Sequence, residues 1–221
     1  MCSRFSLTSP PDAVRQMFAC GGEDVFPPRY NIAPTDPTLI VRSGHDHNRE
    51  LALVRWGLIP SWVKDPREFS LLLNARSETA AEKPSFRAAL RHRRCLVPTD
   101  GYYEWTGRPG KKQPHLIRMS AGGVFALAGL WEHWLGADGS EIETMAILTT
   151  AGNADVAHIH DRMPLILSPL DFDRWLDCRS GSAEHIIDLL AAPRPGQLVT
   201  IAVSPKLNNT RAEGPDLIEP V

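Results

Sequence analysis

The chain has 221 residues, 43% hydrophobic and 23% charged, a composition that excludes a disordered or fibrous protein and allows a substantial core. Its formal net charge of −2 supplies no global basic field, so any role with nucleic acid has to rest on a local groove. Four cysteines, at 2, 20, 95 and 178, form no CxxC pair, which excludes a zinc ribbon or a secreted disulfide framework and predicts reduced thiols at Cys20, Cys95 and Cys178. No stretch approaches the roughly 18 apolar residues of a membrane span. Together these features predict one cytosolic domain covering residues 1–221.

Met1 is followed by Cys2, a residue small enough for an aminopeptidase to remove the methionine before it. Removal would leave an α-amine, pKa about 7.7–8.0, and a thiol, pKa about 8.5, on adjacent carbons, both partly nucleophilic at neutral pH. Such a 1,2-aminothiol captures aldehydes, the amine as a Schiff base and the thiol by closing a thiazolidine; it equally suits an amide-cleaving nucleophile with the amine as base. By itself Cys2 also reads as an incidental residue behind the start codon.

Residues 9–19 predict a helix with prolines at its mouth, Asp12 in the first turn and Val14, Met17 and Phe18 on one face, ended by Gly21-Gly22. Residues 27–34 hold too many prolines for a helix or a central strand and read as an extended loop. Residues 38–42 and 51–56 predict strands around a polar turn, where His45 and His47 form a solvated tip or, with no further ligands nearby, a weak metal pair. Residues 56–62 make an apolar loop between Trp56 and Trp62, read as core packing or as a stacking wedge for a base.

In Asn74-Ala75-Arg76-Ser77-Glu78-Thr79, Ser77 is placed to cap a short helix. Residues 84–90 predict a helix running into Arg91-His92-Arg93-Arg94. With Arg76 and Arg87 these arginines are the densest positive charge in the chain, a phosphate track or a solvated helix end. Residues 95–98 and 101–105 read as strand pieces, and alternation puts Glu104 on the face opposite Tyr103 and Trp105, as a surface carboxylate or as a desolvated carboxyl with a raised pKa. Strands follow at 114–119, 124–131 and 144–150. Within 155–164, His158 and His160 alternate with apolar residues while Asp161 and Arg162 stand ready to orient an imidazole, so the pair reads as a metal signal or as a general acid–base histidine. Helices at 170–176 and 184–190, a strand at 198–203 and an extended end at 217–221 complete the chain, which carries no Walker A loop, no GxGxxG after a strand and no GxSxG elbow.

Met1-Cys2-x-Arg4-Phe5, Arg29-Tyr30-Asn31-x-Ala33-Pro34, Trp56-Gly57-Leu58-Ile59-Pro60, Asn74-Ala75-Arg76-x-Glu78-Thr79, Gly101-x-Tyr103-Glu104-Trp105, Leu130-Trp131-Glu132 and His158-x-His160-Asp161-Arg162-Met163-Pro164 occur in that order. Together they resemble the SRAP (SOS response-associated peptidase) family, from Cys2 to the closing Leu217-Ile218-Glu219-Pro220-Val221. The resemblance implies a single α+β domain with a strongly curved, barrel-like, mainly antiparallel β core and peripheral helices. It implies a DNA-repair activity: shielding of abasic sites in single-stranded DNA by a covalent thiazolidine crosslink through Cys2, with AP-lyase cleavage as a side reaction. No cofactor and no metal are implied, and the expected protein is a monomer without membrane contact, cytoplasmic in a bacterial-type cell and nucleoid-associated when on DNA. The family's catalytic positions match Cys2, Asn74, Glu104 and His160; its DNA-contacting positions are assigned to Arg4, Trp62, Arg76, Thr149 and Arg162.

One departure is Ser3, where the family usually has glycine; if that glycine serves a positive φ or a close backbone approach, Ser3 is disfavoured by roughly 1 kcal/mol. Two other readings use the same residues. One is an N-terminal-nucleophile Cys peptidase or hydrolase. The other is a non-catalytic reader of single-stranded or modified-base DNA, in which Cys2 has no part.

Overall fold

Near-continuous buried runs fill the strands in the middle of the chain, and strands dominate the architecture. In the computed structural model, which describes residues 2–21, 26–44, 48–179 and 181–221, β1 (Phe5–Leu7) leads into α1 (Pro11–Phe18), β2 (Arg29–Ile32), β3 (Pro37–Ser43), β4 (Arg49–Trp56) and β5 (Asn74–Arg76). After α2 (Arg87–His92) come the longer strands β6 (Arg94–Thr99), β7 (Gly101–Arg108), β8 (Lys111–Met119), β9 (Phe125–Leu135) and β10 (Glu141–Ala151). The chain closes with β11 (Arg162–Pro164), β12 (Ile166–Leu167), α3 (Phe172–Leu176) and β13 (Leu198–Ala202).

One sheet runs β13, β8, β7, β1, β2, with antiparallel pairings throughout. The other runs β11, β10, β4, β3, β6, β9, β12, and because β9 also pairs with β10 the pairing returns on itself around a strongly curved, barrel-like sheet. β10 is its organiser: it lies parallel to β4 and β5 and antiparallel to β9 and β11. The chain is thus α+β, with a mainly antiparallel core and short peripheral helices. Among the described residues, no helix is long and apolar enough to cross a membrane.

The main core gathers Phe5, Phe18, Trp56, Leu96, Ile147 and Trp175. Each such side chain contributes roughly 1.5–3 kcal/mol through burial. Both buried indoles of this core are satisfied: Trp56 Nε1 donates to the Leu73 carbonyl at 3.0 Å and Trp175 Nε1 to the Cys95 carbonyl at 2.8 Å. A smaller cluster, Tyr103, Leu116, Val203, Leu207 and Leu217, packs on the other face of the first sheet.

Several local expectations need correction. Residues 29–32 are a strand rather than loop, which their flanking prolines allow because β2 is an edge strand and needs a ladder on one side only. Ser77 caps no helix: the N–H groups of Thr79 and Ala80 both bond the Arg76 carbonyl in tight turns, and Ser77 Oγ has no hydrogen-bond partner among the described residues. Residues 184–190 form a 3-10 helix, and Leu217 ends a 3-10 turn rather than starting an extended tail. α1 stops at Ala19, which takes a left-handed φ of 48°, before the glycine pair. Gly22, His45 and His47 lie outside the described residues.

The arginine run also divides. Arg87 and Arg91 are exposed, but Arg93 donates to Glu132 at 2.8 Å, and Arg94 is 1% exposed. The Arg94 guanidinium donates to the carbonyls of Trp175 at 2.5 Å and Leu90 at 2.7 Å and also to that of Asp177, tying α2 and α3 to β6. A continuous phosphate track is therefore not formed. Arg94→Ala strands these buried carbonyls and leaves a void, so a loss on the order of 3 kcal/mol is expected in urea denaturation.

Candidate active site

The N-terminal segment enters the first sheet as its fourth strand. Phe5 pairs with Ile32 on one side and Tyr102 on the other, the Tyr103 N–H donates to the Arg4 carbonyl at 3.0 Å, and the Phe5 ring meets Trp56 edge-on at 5.0 Å. These contacts carry Cys2 into the interior, where it is 0% exposed. Its Sγ–H points at the Arg4 carbonyl 3.7 Å away, and Asn74 Nδ2 donates to the Cys2 carbonyl at 2.7 Å. Asn74 comes from the other sheet, where β5 pairs in parallel with β10 at Ile147. Its Oδ1 is buried with no hydrogen-bond partner among the described residues, an acceptor left for an incoming donor.

Alternation along β7 decides the neighbours of Cys2. Tyr103 and Trp105 enter the smaller cluster, whereas Tyr102 packs in the main core and Glu104, on the same face, is 4% exposed. Burial raises the Glu104 pKa above the ordinary carboxylate range, and the nearby His160 charge partly opposes the shift. The same burial, followed by the charge of Glu104, pushes the Cys2 thiol well above its usual range. The sequence expectation of a partly ionised thiol is thereby corrected: desolvation keeps the buried sulfur protonated at neutral pH. Ser3 takes no positive φ, so it carries no backbone strain in place of glycine.

His160 follows the turn before β11. Its Nδ1 lies 2.9 Å from the Arg162 backbone N–H and 3.0 Å from Asp161 Oδ1. One nitrogen cannot serve both at once: unprotonated, Nδ1 accepts from Arg162 and the neutral ring carries its proton on Nε2, whereas Nδ1 carrying a proton would donate to Asp161. The Asp161 side chain is 89% exposed, so the backbone contact is the firmer constraint.

The residues assigned to DNA contact fall into three settings. Arg76, Thr149 and Arg162 converge where β5, β10 and β11 meet: Thr149 pairs with both Arg76 and Pro164, Arg76 is exposed, and Thr149 is fully buried. Arg162 forks onto Glu78, Nη1 to Oε1 at 2.6 Å and Nη2 to Oε2 at 2.9 Å, while Nη2 also reaches the Thr149 carbonyl at 2.7 Å and Oγ1 at 3.2 Å. Trp62 stands apart on the loop after β4, 58% exposed and edge-on to Phe69 at 5.6 Å. Arg4 is only 8% exposed, its Nη1 bonded to Asn31 Oδ1 at 2.7 Å and the Leu207 carbonyl at 3.1 Å, which makes it part of the wall of the fold rather than of its open surface.

Sequence reasoning assigned no role to Glu78, Asn31 or Tyr102. Glu78 stands two residues after Arg76 in the same motif, and Asn31 lies within Arg29-Tyr30-Asn31, so adjacency was the available signal. The Tyr102 hydroxyl is buried on the Glu104 face without a partner among the described residues. The arrangement can deliver a proton from Glu104, present a nucleophile from the Cys2 end of the chain and move protons through His160. We assign it no metal or cofactor.

The raised Glu104 pKa has a stability consequence with a definite sign. A carboxyl whose folded pKa lies above its unfolded value, about 4.3, contributes stability that is fully present below that value and lost as pH rises through the folded pKa. Glu104→Gln cannot ionise, so its melting temperature should gain on wild type as pH rises through this window, and the gain should vanish at lower pH, in paired thermal melts between pH 3 and 8.

Comparison with known proteins agrees with this architecture along the whole chain. The model of the SOS response associated peptidase (SRAP) family matches residues 1–210. The Abasic site processing protein YoqW of Bacillus subtilis (strain 168) is 37% identical over 223 residues, covering 99% of each chain. The Abasic site processing protein YedK of Escherichia coli (strain K12) is 32% identical over 228 residues, covering 100% of each. A crystal structure of a protein from Bacteroides thetaiotaomicron superposes with a TM-score of 0.87 at 27% identity, covering 100% of both chains. With the family model spanning nearly its full length, this chain belongs to the SRAP family.

Proposed function

We propose that this chain processes abasic sites in DNA, as its relatives are named for doing, and that it does so by trapping the exposed aldehyde of a single-stranded site on Cys2. The observation that carries this reading is the burial of Cys2 beside Glu104, with Asn74 on the Cys2 carbonyl. Removal of Met1 would free the α-amine of Cys2.

The abasic sugar exists mainly as a closed hemiacetal. Glu104, whose pKa burial raises, gives a proton to the ring oxygen; the bond from C1 to that oxygen breaks, the C1 hydroxyl gives up its proton, and the sugar opens to the aldehyde. The amine then adds to the aldehyde carbon, its proton passing to the oxygen; the carbinolamine takes a proton, loses water and gives a proton back to leave the neutral imine. Finally the thiol sulfur adds to the imine carbon, its proton passing to the nitrogen, and the five-membered ring is closed. The buried, protonated thiol favours this order, amine first and sulfur second, because the thiol has no need to ionise before the imine exists. His160, whose Nδ1 faces the Arg162 backbone N–H, moves protons in imine formation and reversal. β-Elimination from the same imine would give strand cleavage, in competition with ring closure.

The peptidase alternative asks for a ready thiolate at Cys2, which burial opposes. A reader without chemistry leaves the burial of an acid next to the N-terminal cysteine without a use. Exposed Arg76, with Arg162 beside it, is the cationic surface on which a phosphate backbone would lie.

The test is a denaturing gel with single-stranded DNA bearing one abasic site. Wild type should give a heat-stable shifted band that Cys2→Ala lacks, while non-covalent affinity is kept. Glu104→Gln should slow single-turnover crosslinking by roughly 10²–10⁴, and the wild-type rate should fall as pH rises through the raised Glu104 pKa. Arg76→Ala should reduce the salt slope of binding by about 0.7, whereas Arg4→Ala should chiefly lower the melting temperature.

A further inference from the structure

We infer that Glu78 is a positioning residue of this site, acting through Arg162 on His160. The inference rests on the aldehyde-trapping reading above and deepens it. Arg162 faces two ways: its backbone N–H holds His160 Nδ1 at 2.9 Å, and its guanidinium is forked onto Glu78 at 2.6 and 2.9 Å. The guanidinium also reaches the Thr149 carbonyl at 2.7 Å, and the same carbonyl accepts the Ser77 N–H at 2.8 Å, so Glu78, Thr149 and Arg162 are bound into one unit around the end of β10. Fixing the side chain of Arg162 therefore fixes the start of β11, and with it the donor that sets the His160 tautomer.

Energetics separates this role from a stabilising one. The Glu78 side chain is 48% exposed, so solvent screening limits what the ion pair adds to the folding free energy. What the fork supplies is direction, since a planar guanidinium held at both nitrogens by one carboxylate has little freedom left. The pair is fully ionised in the working range, because Arg162 holds the Glu78 carboxyl below the usual carboxylate range. Glu78 also places a negative charge beside the Arg76 and Arg162 surface, where it opposes a DNA phosphate. Affinity for DNA and speed of reaction should therefore respond to its loss in opposite directions.

The experiment compares wild type with Glu78→Gln, Glu78→Asp and, as a control, Asp188→Asn, which removes the exposed ion pair of Arg174 and Asp188 elsewhere on the surface. Single-turnover crosslinking, its pH profile, equilibrium binding of an intact single strand and the melting temperature are measured for each. Glu78→Gln should crosslink about tenfold more slowly, the lower end of what misplacing a reacting group does. It should bind the intact strand as tightly as wild type or more tightly, shift the pH profile and leave the melting temperature nearly unchanged. Glu78→Asp should recover most of the rate, and Asp188→Asn should match wild type. A Glu78→Gln rate within twofold of wild type, or rate, affinity and melting temperature falling together, would overturn the inference. Failure of wild type itself to crosslink would instead overturn the functional reading beneath it.

Discussion

The hydrogen bond from Asn74 Nδ2 to the Cys2 carbonyl, at 2.7 Å, is the contact on which the rest of the site depends. The first residues of a chain ordinarily fray. Here β1 is clamped between β2 and β7, and the residue three places before Phe5 is still fully buried. Asn74 reaches it from β5, a strand of three residues whose place is fixed by parallel pairing with β10. Cys2 thus belongs to the first sheet by its backbone path and to the second by its carbonyl. Any change that displaces β5 from β10 would release Cys2 without touching it.

Two electrostatic regimes meet across β10. On one side Cys2 and Glu104 are desolvated together, and burial raises the pKa of each. On the other side Glu78, Arg76 and Arg162 lie in partly or fully open positions where charges are retained. The first regime suits a site that gives protons to a sugar and an imine, and the second suits a surface that receives a phosphate backbone. Arg162 joins them, because its side chain belongs to the charged surface and its backbone N–H to the His160 ring.

Sequence pattern reveals the strands well where alternation is strict, and Glu104 shows why. With Tyr103 and Trp105 on one face, period two left Glu104 only the other, although burial rather than pattern chose the desolvated carboxyl over the exposed one. The arginine run shows the opposite case. Arg91 and Arg94 look alike in sequence, but the helix ends between them, and the guanidinium of Arg94 turns inward to backbone carbonyls while the Arg91 side chain stays in water. Prolines 27, 28 and 34 read as loop because they forbid a two-sided ladder; an edge position, which only topology reveals, removes that demand at 29–32. The Cys2 thiol was misjudged for a related reason: local sequence carries no record of how deeply the chain start is buried. Glu78 was adjacent to an assigned residue yet unassigned, because its partner lies 84 positions away.

The most direct measurement is the intact mass of the protein after reaction with a single-stranded oligonucleotide carrying one abasic site, followed by peptide mapping. The account predicts a product equal to protein without Met1 plus DNA less one water, with the link on Cys2, stable to denaturation and unchanged by borohydride. A link that maps to a lysine, or one that survives denaturation only after borohydride treatment, would contradict it.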